Sequence, residues 1–196
     1  MPEFALSFRA AFTRQGKCRV SLPDELRWWV LSATAILVLV GWLALLGRPW
    51  LPGQPLRLWN GDFRLIHNSQ HLADGYSLLH LSFGALIFAL TYQFNPALDR
   101  GRLALTIVAS AVTWEALENL PSVIALFNPP VGHPSYGGDS IINALGDVIF
   151  AGTGFALAMQ ISRQMLWLMI LGIEFASAAL IRDGLVWGTM RLIGLL

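Results

Sequence analysis

A single cysteine, Cys18, stands in the 196 residues, so no intrachain disulfide can form. Charge is scarce as well. Only 13% of the residues are Asp, Glu, Lys or Arg, about half of the ~25% usual in soluble domains. The net charge of +1 leaves no concentrated basic face of the kind a nucleic-acid partner needs. There is no nucleophile elbow, no HExxH, no phosphate loop and no internal repeat. What fills the chain is apolar. Hydrophobic residues make up 55%, and mean hydropathy is +0.57. At ~20 residues per span, the length accommodates one domain of four to six membrane spans.

Five carboxylates interrupt this apolar background: Glu115, Glu118, Asp139, Asp147 and Glu174. A charged side chain at the centre of a bilayer costs roughly 2.5–3.5 kcal/mol even on insertion scales. Five of them imply a site, a pathway or a polar lock between helices.

The pattern predicts an all-α integral membrane helical bundle with about five transmembrane helices. Residues 1–26 form a basic segment with Arg9, Arg14, Lys17 and Arg19. Phe4, Phe8, Ala11 and Phe12 fit one helical face, so this segment either lies on the membrane surface or is a frayed tail. Cys18, within it, reads as a reduced bystander or, more weakly, as a palmitoylation site. Residues 27–196 read as a single polytopic domain. The expected spans are 28–47, 77–94, 103–127, 140–161 and 165–181, with Pro121 near the end of the third. Small residues on the fourth, Gly152, Gly154, Ala156 and Ala158, would let another helix approach closely. Residues 49–76 and 128–139 are loops broken by proline and glycine. Residues 184–196 are too short to cross and suit an interfacial helix.

Arginine and lysine placement sets the expected orientation. With the N-terminus inside, the cytoplasmic side holds Arg9, Arg14, Lys17, Arg19, Arg27, Arg100, Arg102 and Arg163. The outer side holds Arg48, Arg57, Arg64, Arg182 and Arg191. The expected orientation therefore has a cytoplasmic N-terminus.

In this topology polar groups converge in the outer half of the bilayer. At ~1.5 Å per residue, Glu115 lies roughly 18 Å and Glu118 roughly 22 Å above the inner start of the third span. Asn143 and Asp147 lie roughly 5 and 11 Å below the outer start of the fourth. Glu115 and Asp147 thus fall at one level. Asp139, Asn143 and Asp147 repeat every four residues on one helix stripe, and Glu115, Glu118 and Asn119 share another. His80 and Arg182 enter the layer from the second and fifth spans, and Glu174 lies deeper. His71 or Asp74 in the loop caps it from outside.

Three readings of this cluster compete. His71, His80, Glu115, Glu118, Asp139 and Asp147 include the ligand types of a divalent metal site, although their spacing matches no particular metal motif. Alternatively, His80 and the carboxylates Glu115, Glu118, Asp139 and Asp147 act as acid and base on a lipid-linked substrate, with His71, Asp74, Tyr76, Asn119, Asn143, Glu174 and Arg182 lining the pocket. In the third reading, the carboxylates are protonated or paired and hold the bundle together. His67 and His133 read as loop residues, Trp114 as packing, and Asp183 as the ion-pair partner of neighbouring Arg182.

Four stretches resemble a family of bacterial multi-pass membrane proteins known as a domain of unknown function. They are Asn68-Ser69-Gln70-His71-Leu72-Ala73-Asp74 with Tyr76 and His80; Trp114-Glu115 with Glu118-Asn119 and Pro121; Tyr136-Gly137-Gly138-Asp139-Ser140 with Asn143 and Asp147; and Glu174-Phe175 with Ile181-Arg182-Asp183. The likeness runs from about residue 60 to 185. More distantly, the order of Asp74, His80, Glu115, Glu118, Asp139, Asn143 and Gly146 is similar to the VanZ-like group, which is associated with resistance to glycopeptide antibiotics. That resemblance implies work at the cell envelope: binding or acting on an envelope lipid, or serving as a non-catalytic subunit beside other membrane proteins. Two positions depart from the family pattern. Phe83 stands where a second histidine is usual, and Leu126-Phe127-Asn128 replace an Arg-Tyr-type ending. Both departures weaken the metal reading and fit a member that has kept the scaffold but lost an activity.

Overall fold

The computed structural model describes residues 22–62, 68–128 and 136–195. Residues 1–21 of the basic segment, with Cys18, lie outside them, as do His67 and His133, while residues 22–26 already belong to the first helix. The described chain is helical: α1 (Leu22–Leu45), α2 (Ser77–Phe94), α3 (Arg100–Glu118), α4 (Pro121–Phe127), α5 (Ile141–Ala158), α6 (Arg163–Leu180) and α7 (Leu185–Leu192). Extended pairing among the described residues is limited to an isolated bridge between Asn60 and Asp74. Four helices are long and apolar enough to cross a membrane, at Leu26–Leu45, Ser77–Phe94, Ile141–Ala158 and Arg163–Leu180. The bent pair α3–α4 makes a fifth if counted as one span.

That bend corrects the expected continuous span at 103–127. The chain turns by 80° between Glu118 and Pro121. Proline cannot donate the backbone hydrogen bond a continuing helix needs, and it drives the preceding residue out of the α region. Leu120 is accordingly extended, at φ −69° and ψ 138°. Side chains mark several of the helix starts. Asp99 accepts from the Arg102 amide at α3, Ser140 from the Asn143 amide at α5, and Ser162 from the Met165 amide at α6.

α5 is the central helix. It packs along α2 and also touches α3, while α1 lies on α3 and α6 on α2. Leu39, Leu43, Ala85, Phe88, Ile107, Ala111, Ile141, Ala144, Val148 and Ala151 form the continuous apolar core. The small-residue expectation holds in part. A Cβ at Gly154 would collide with the Leu81 carbonyl, and one at Gly84 with the Ala151 carbonyl, so α2 and α5 meet backbone to backbone. Gly152 faces open space instead. At the opposite end, the Trp28 ring lies under the guanidinium groups of Arg27 and Arg102, at 4.6 and 5.3 Å.

The described residues between α1 and α2, 46–62 and 68–76, form no helix but are tightly held. The Asn60 amide donates to the Ala73 carbonyl (2.8 Å), and the Leu72 amide to the Arg57 carbonyl (3.2 Å). The Ile141 amide at the start of α5 donates to the Pro49 carbonyl (2.8 Å). This long loop is thereby folded over the ends of α2 and α5, where the polar residues gather.

Candidate functional site

The polar residues form two connected layers. The upper layer centres on Asn119, buried at the α3–α4 break. Its side-chain amide donates to Asp139 Oδ2 (2.5 Å) and to the Glu115 carbonyl (3.1 Å), and its Oδ1 accepts from the Asp139 amide (2.9 Å). Tyr136 donates its hydroxyl to Asp139 Oδ1. Arg48 donates to the Asn119 carbonyl (2.9 Å) and to the Gly137 carbonyl. Asn128 clasps Tyr136 through two bonds, accepting from its amide (2.6 Å) and donating to its carbonyl (2.9 Å). The break in the third span is therefore a polar junction.

Burial pushes the Asp139 carboxyl up to about 6, against the opposing pull of the hydrogen bonds from Tyr136 and Asn119. Burial and the charge of Asp139 raise the Tyr136 hydroxyl, so it remains a donor. Tyr76 is raised by burial and by the charge of Asp183, and Asp74 is raised by burial despite three backbone hydrogen bonds.

The second layer runs from the long loop into the bundle. Asp74 accepts from the amides of Ser69 (2.7 Å) and Tyr76 (2.9 Å), which places it at the mouth of α2. Ser77, at the first turn of α2, accepts from the Asp74 amide (3.1 Å) and donates to Asp147 Oδ1 (2.6 Å). The other oxygen of Asp147 lies 3.7 Å from His80 Nε2, and His80 Nδ1 lies 3.2 Å from Glu115 Oε1. The two carboxylates expected at one level thus flank a shared histidine. Glu115 is fully buried, and neither of its oxygens takes a hydrogen bond from the described residues. His71 and Asn143 join the layer through the Asn143 side chain, whose Nδ2 donates to the His71 carbonyl (2.8 Å), while His71 Nδ1 accepts from the Arg57 backbone amide (3.2 Å).

Beside these layers lies a cavity of about 570 Å³. Of the sequence candidates, Tyr76, His80, Glu118 and Arg182 line it. Glu115, Asn119, Asp139, Asn143 and Asp147 do not line it, and neither do His71 and Asp74, so the expected pocket lining is corrected for them. Leu79, Phe83, Leu86, Trp114 and Leu126 supply an apolar side, and Asn68, Tyr136, Asp183 and Arg191 add to the polar side.

Two further expectations need correction. Glu174 does not line the cavity. It accepts from the Leu185 and Val186 amides (2.9 and 3.0 Å), because those amides at the start of α7 lack partners within their own helix. Gly184 allows this approach, since a Cβ there would strike the Glu174 carboxylate. Asp183 pairs with Arg191, at 3.2 Å, instead of Arg182. α7 brings Arg191 back over Asp183, whereas Arg182 has a left-handed φ of 55° and lines the cavity. Sequence reasoning missed Arg48, Asn60 and Ser77. Arg48 reads as a flanking positive charge and Ser77 as a helix start. The loop's hold on the start of α5 brings Arg48 to Asn119, the packing of α2 against α5 brings Ser77 to Asp147, and Asn60 ties the loop itself together.

The family profile described as "Protein of unknown function (DUF2585)" matches residues 43–195. The chain is 31% identical over 191 residues to a UPF0314 protein of Paracoccus denitrificans, covering 96% of this chain and 93% of that one. It is 32% identical over 180 residues to a UPF0314 protein of Brucella anthropi, covering 89% and 91%. Another from Novosphingobium aromaticivorans is 29% identical over 182 residues, covering 88% and 89%. No solved structure matches. The matched span takes in both polar layers and the cavity wall, and on these grounds the chain belongs to the DUF2585 family of UPF0314 proteins.

Proposed function

We propose that this protein is a multi-pass inner-membrane protein that binds an envelope lipid or lipid-linked molecule in the cavity beside α2, α3 and α7. The observation that carries the reading is the two-sided cavity wall. Leu79, Phe83, Leu86 and Trp114 offer an acyl chain an apolar surface, while Arg182, Arg191, Tyr76 and Glu118 offer a headgroup polar contacts. Arg182 is exposed and lines the cavity, so its guanidinium can reach a phosphate there. The N-terminus lies in the cytoplasm, as the arginine distribution favours, and the cavity then opens toward the outer leaflet. The likeness to the VanZ-like group supports an envelope substrate.

The test is purification in mild detergent, followed by lipid extraction and mass spectrometry. The parent protein should retain a phosphate-bearing amphiphile that Leu86→Trp, which fills the apolar side, and Arg182→Gln both lose. Identical lipid content in the parent and both folded variants would overturn the proposal. A stoichiometric protein partner in place of the lipid would favour the accessory-subunit reading.

A further inference from the structure

We propose that His80, Glu115 and Glu118 form a binding site for one divalent cation of borderline hardness, such as Zn²⁺ or Mn²⁺, at the wall of the cavity. This goes beyond the lipid reading, and either can fail alone. One ligand atom from each of the three residues lies within 4.8 Å of the others. A modest side-chain rotation therefore brings all three to the ~2.0–2.2 Å that such an ion needs.

Two further observations point to a cation. Glu115 is fully buried with both oxygens unpartnered, apart from its approach to His80. A buried carboxylate without hydrogen-bond donors is a costly arrangement, and coordination to a cation relieves it. His80 also stands between two carboxylates, with Asp147 Oδ2 at 3.7 Å from Nε2, near enough to accept from it after a small side-chain shift. Asp147 lies behind Nε2 and is itself fixed by the Ser77 hydroxyl, which leaves Nδ1 facing Glu115. A carboxylate behind the far nitrogen is the common outer support of a metal-bound histidine. Nitrogen and oxygen donors together suit Zn²⁺ or Mn²⁺ better than Ca²⁺. Three protein ligands leave a coordination position open, and Glu118 and His80 direct it toward the cavity. A headgroup phosphate or a water could occupy that position.

The experiment uses the full chain in detergent, stripped with chelator and titrated with Zn²⁺ and with Mn²⁺. Binding is read by calorimetry, and metal content before stripping by plasma mass spectrometry. The parent should bind one equivalent, and its melting temperature should rise with the ion. His80→Gln and Glu118→Gln should lose saturable binding while keeping their helical circular dichroism, and Asp147→Asn should weaken it roughly 10–100-fold. Asp99→Asn, at the partly exposed cap of α3, should bind as the parent does. A folded parent with no saturable binding of either ion would overturn the proposal. So would His80→Gln and Glu118→Gln proteins that bind like the parent. If a ligand variant fails to fold, the Asp147→Asn affinity still decides: an unchanged value counts against the site. Metal binding by lipid-free protein would leave this proposal standing even if the lipid reading failed.

Discussion

Asp139 carries the sharpest consequence among the single residues. Its carboxyl is raised from 3.8 to about 6, first by burial. The native state therefore holds the proton more tightly than the unfolded chain does. The resulting stability is fully present below 3.8 and is lost as pH rises to about 6. The melting temperature in detergent should accordingly rise when pH falls from 7 toward 5. Asp139→Asn removes the titrating proton while its one amide oxygen can still accept from Tyr136, so it should flatten that slope. A variant that keeps the parent's slope would show that another group titrates. Of this junction, the sequence showed Asn119 and Asp139 on stripes facing inward. Their bond to each other across the α3–α4 break was beyond it, because the break had been read as a continuous helix.

Helix-scale behaviour rests on the contact between α2 and α5. Gly84 and Gly154 remove the side chains that would hold the two backbones apart, and the same contact brings Ser77 and His80 to Asp147. Gly154→Val should overpack this contact and cost about 1–3 kcal/mol, or more if the helices cannot shift. The accompanying separation should also weaken metal binding, which a substitution at outward-facing Gly152 should not do. Circular dichroism melts and the metal titration on both variants check this. If Gly154→Val melts like the parent, the close approach is not what holds these helices together. The spacing of small residues pointed to a close partner for this helix. It could not say that Gly84 belonged to that partner, since helix pairing depends on faces and not on order along the chain.

For the molecule as a whole, orientation in the membrane is the property to test. The expected arrangement puts Gly137, exposed at the polar junction, outside and Ala97, exposed between α2 and α3, inside. In a Cys18→Ala background, Gly137→Cys should react with an impermeant thiol reagent in intact cells. Ala97→Cys should react only after the cells are opened. The reverse pattern would turn the protein over and place the cavity toward the cytoplasm.

Helical character and the runs long and apolar enough to cross a membrane were determined by the sequence alone. Helix period and apolar length are local properties, and the scarcity of charge made each interrupting carboxylate conspicuous. The common level of Glu115 and Asp147 was also readable, because rise per residue along a helix is nearly constant. Tertiary structure decided the rest. It turned the third span through 80° at Pro121, carried the loop residues around Pro49, Arg57 and Asn60 to the ends of α2 and α5, and committed Glu174 to capping α7. It also set Asp183 against Arg191 and left Arg182 in the cavity wall. Each of these outcomes depends on which unsatisfied backbone or charged group a side chain meets in space. Residues far apart in the chain settle that only when the helices pack.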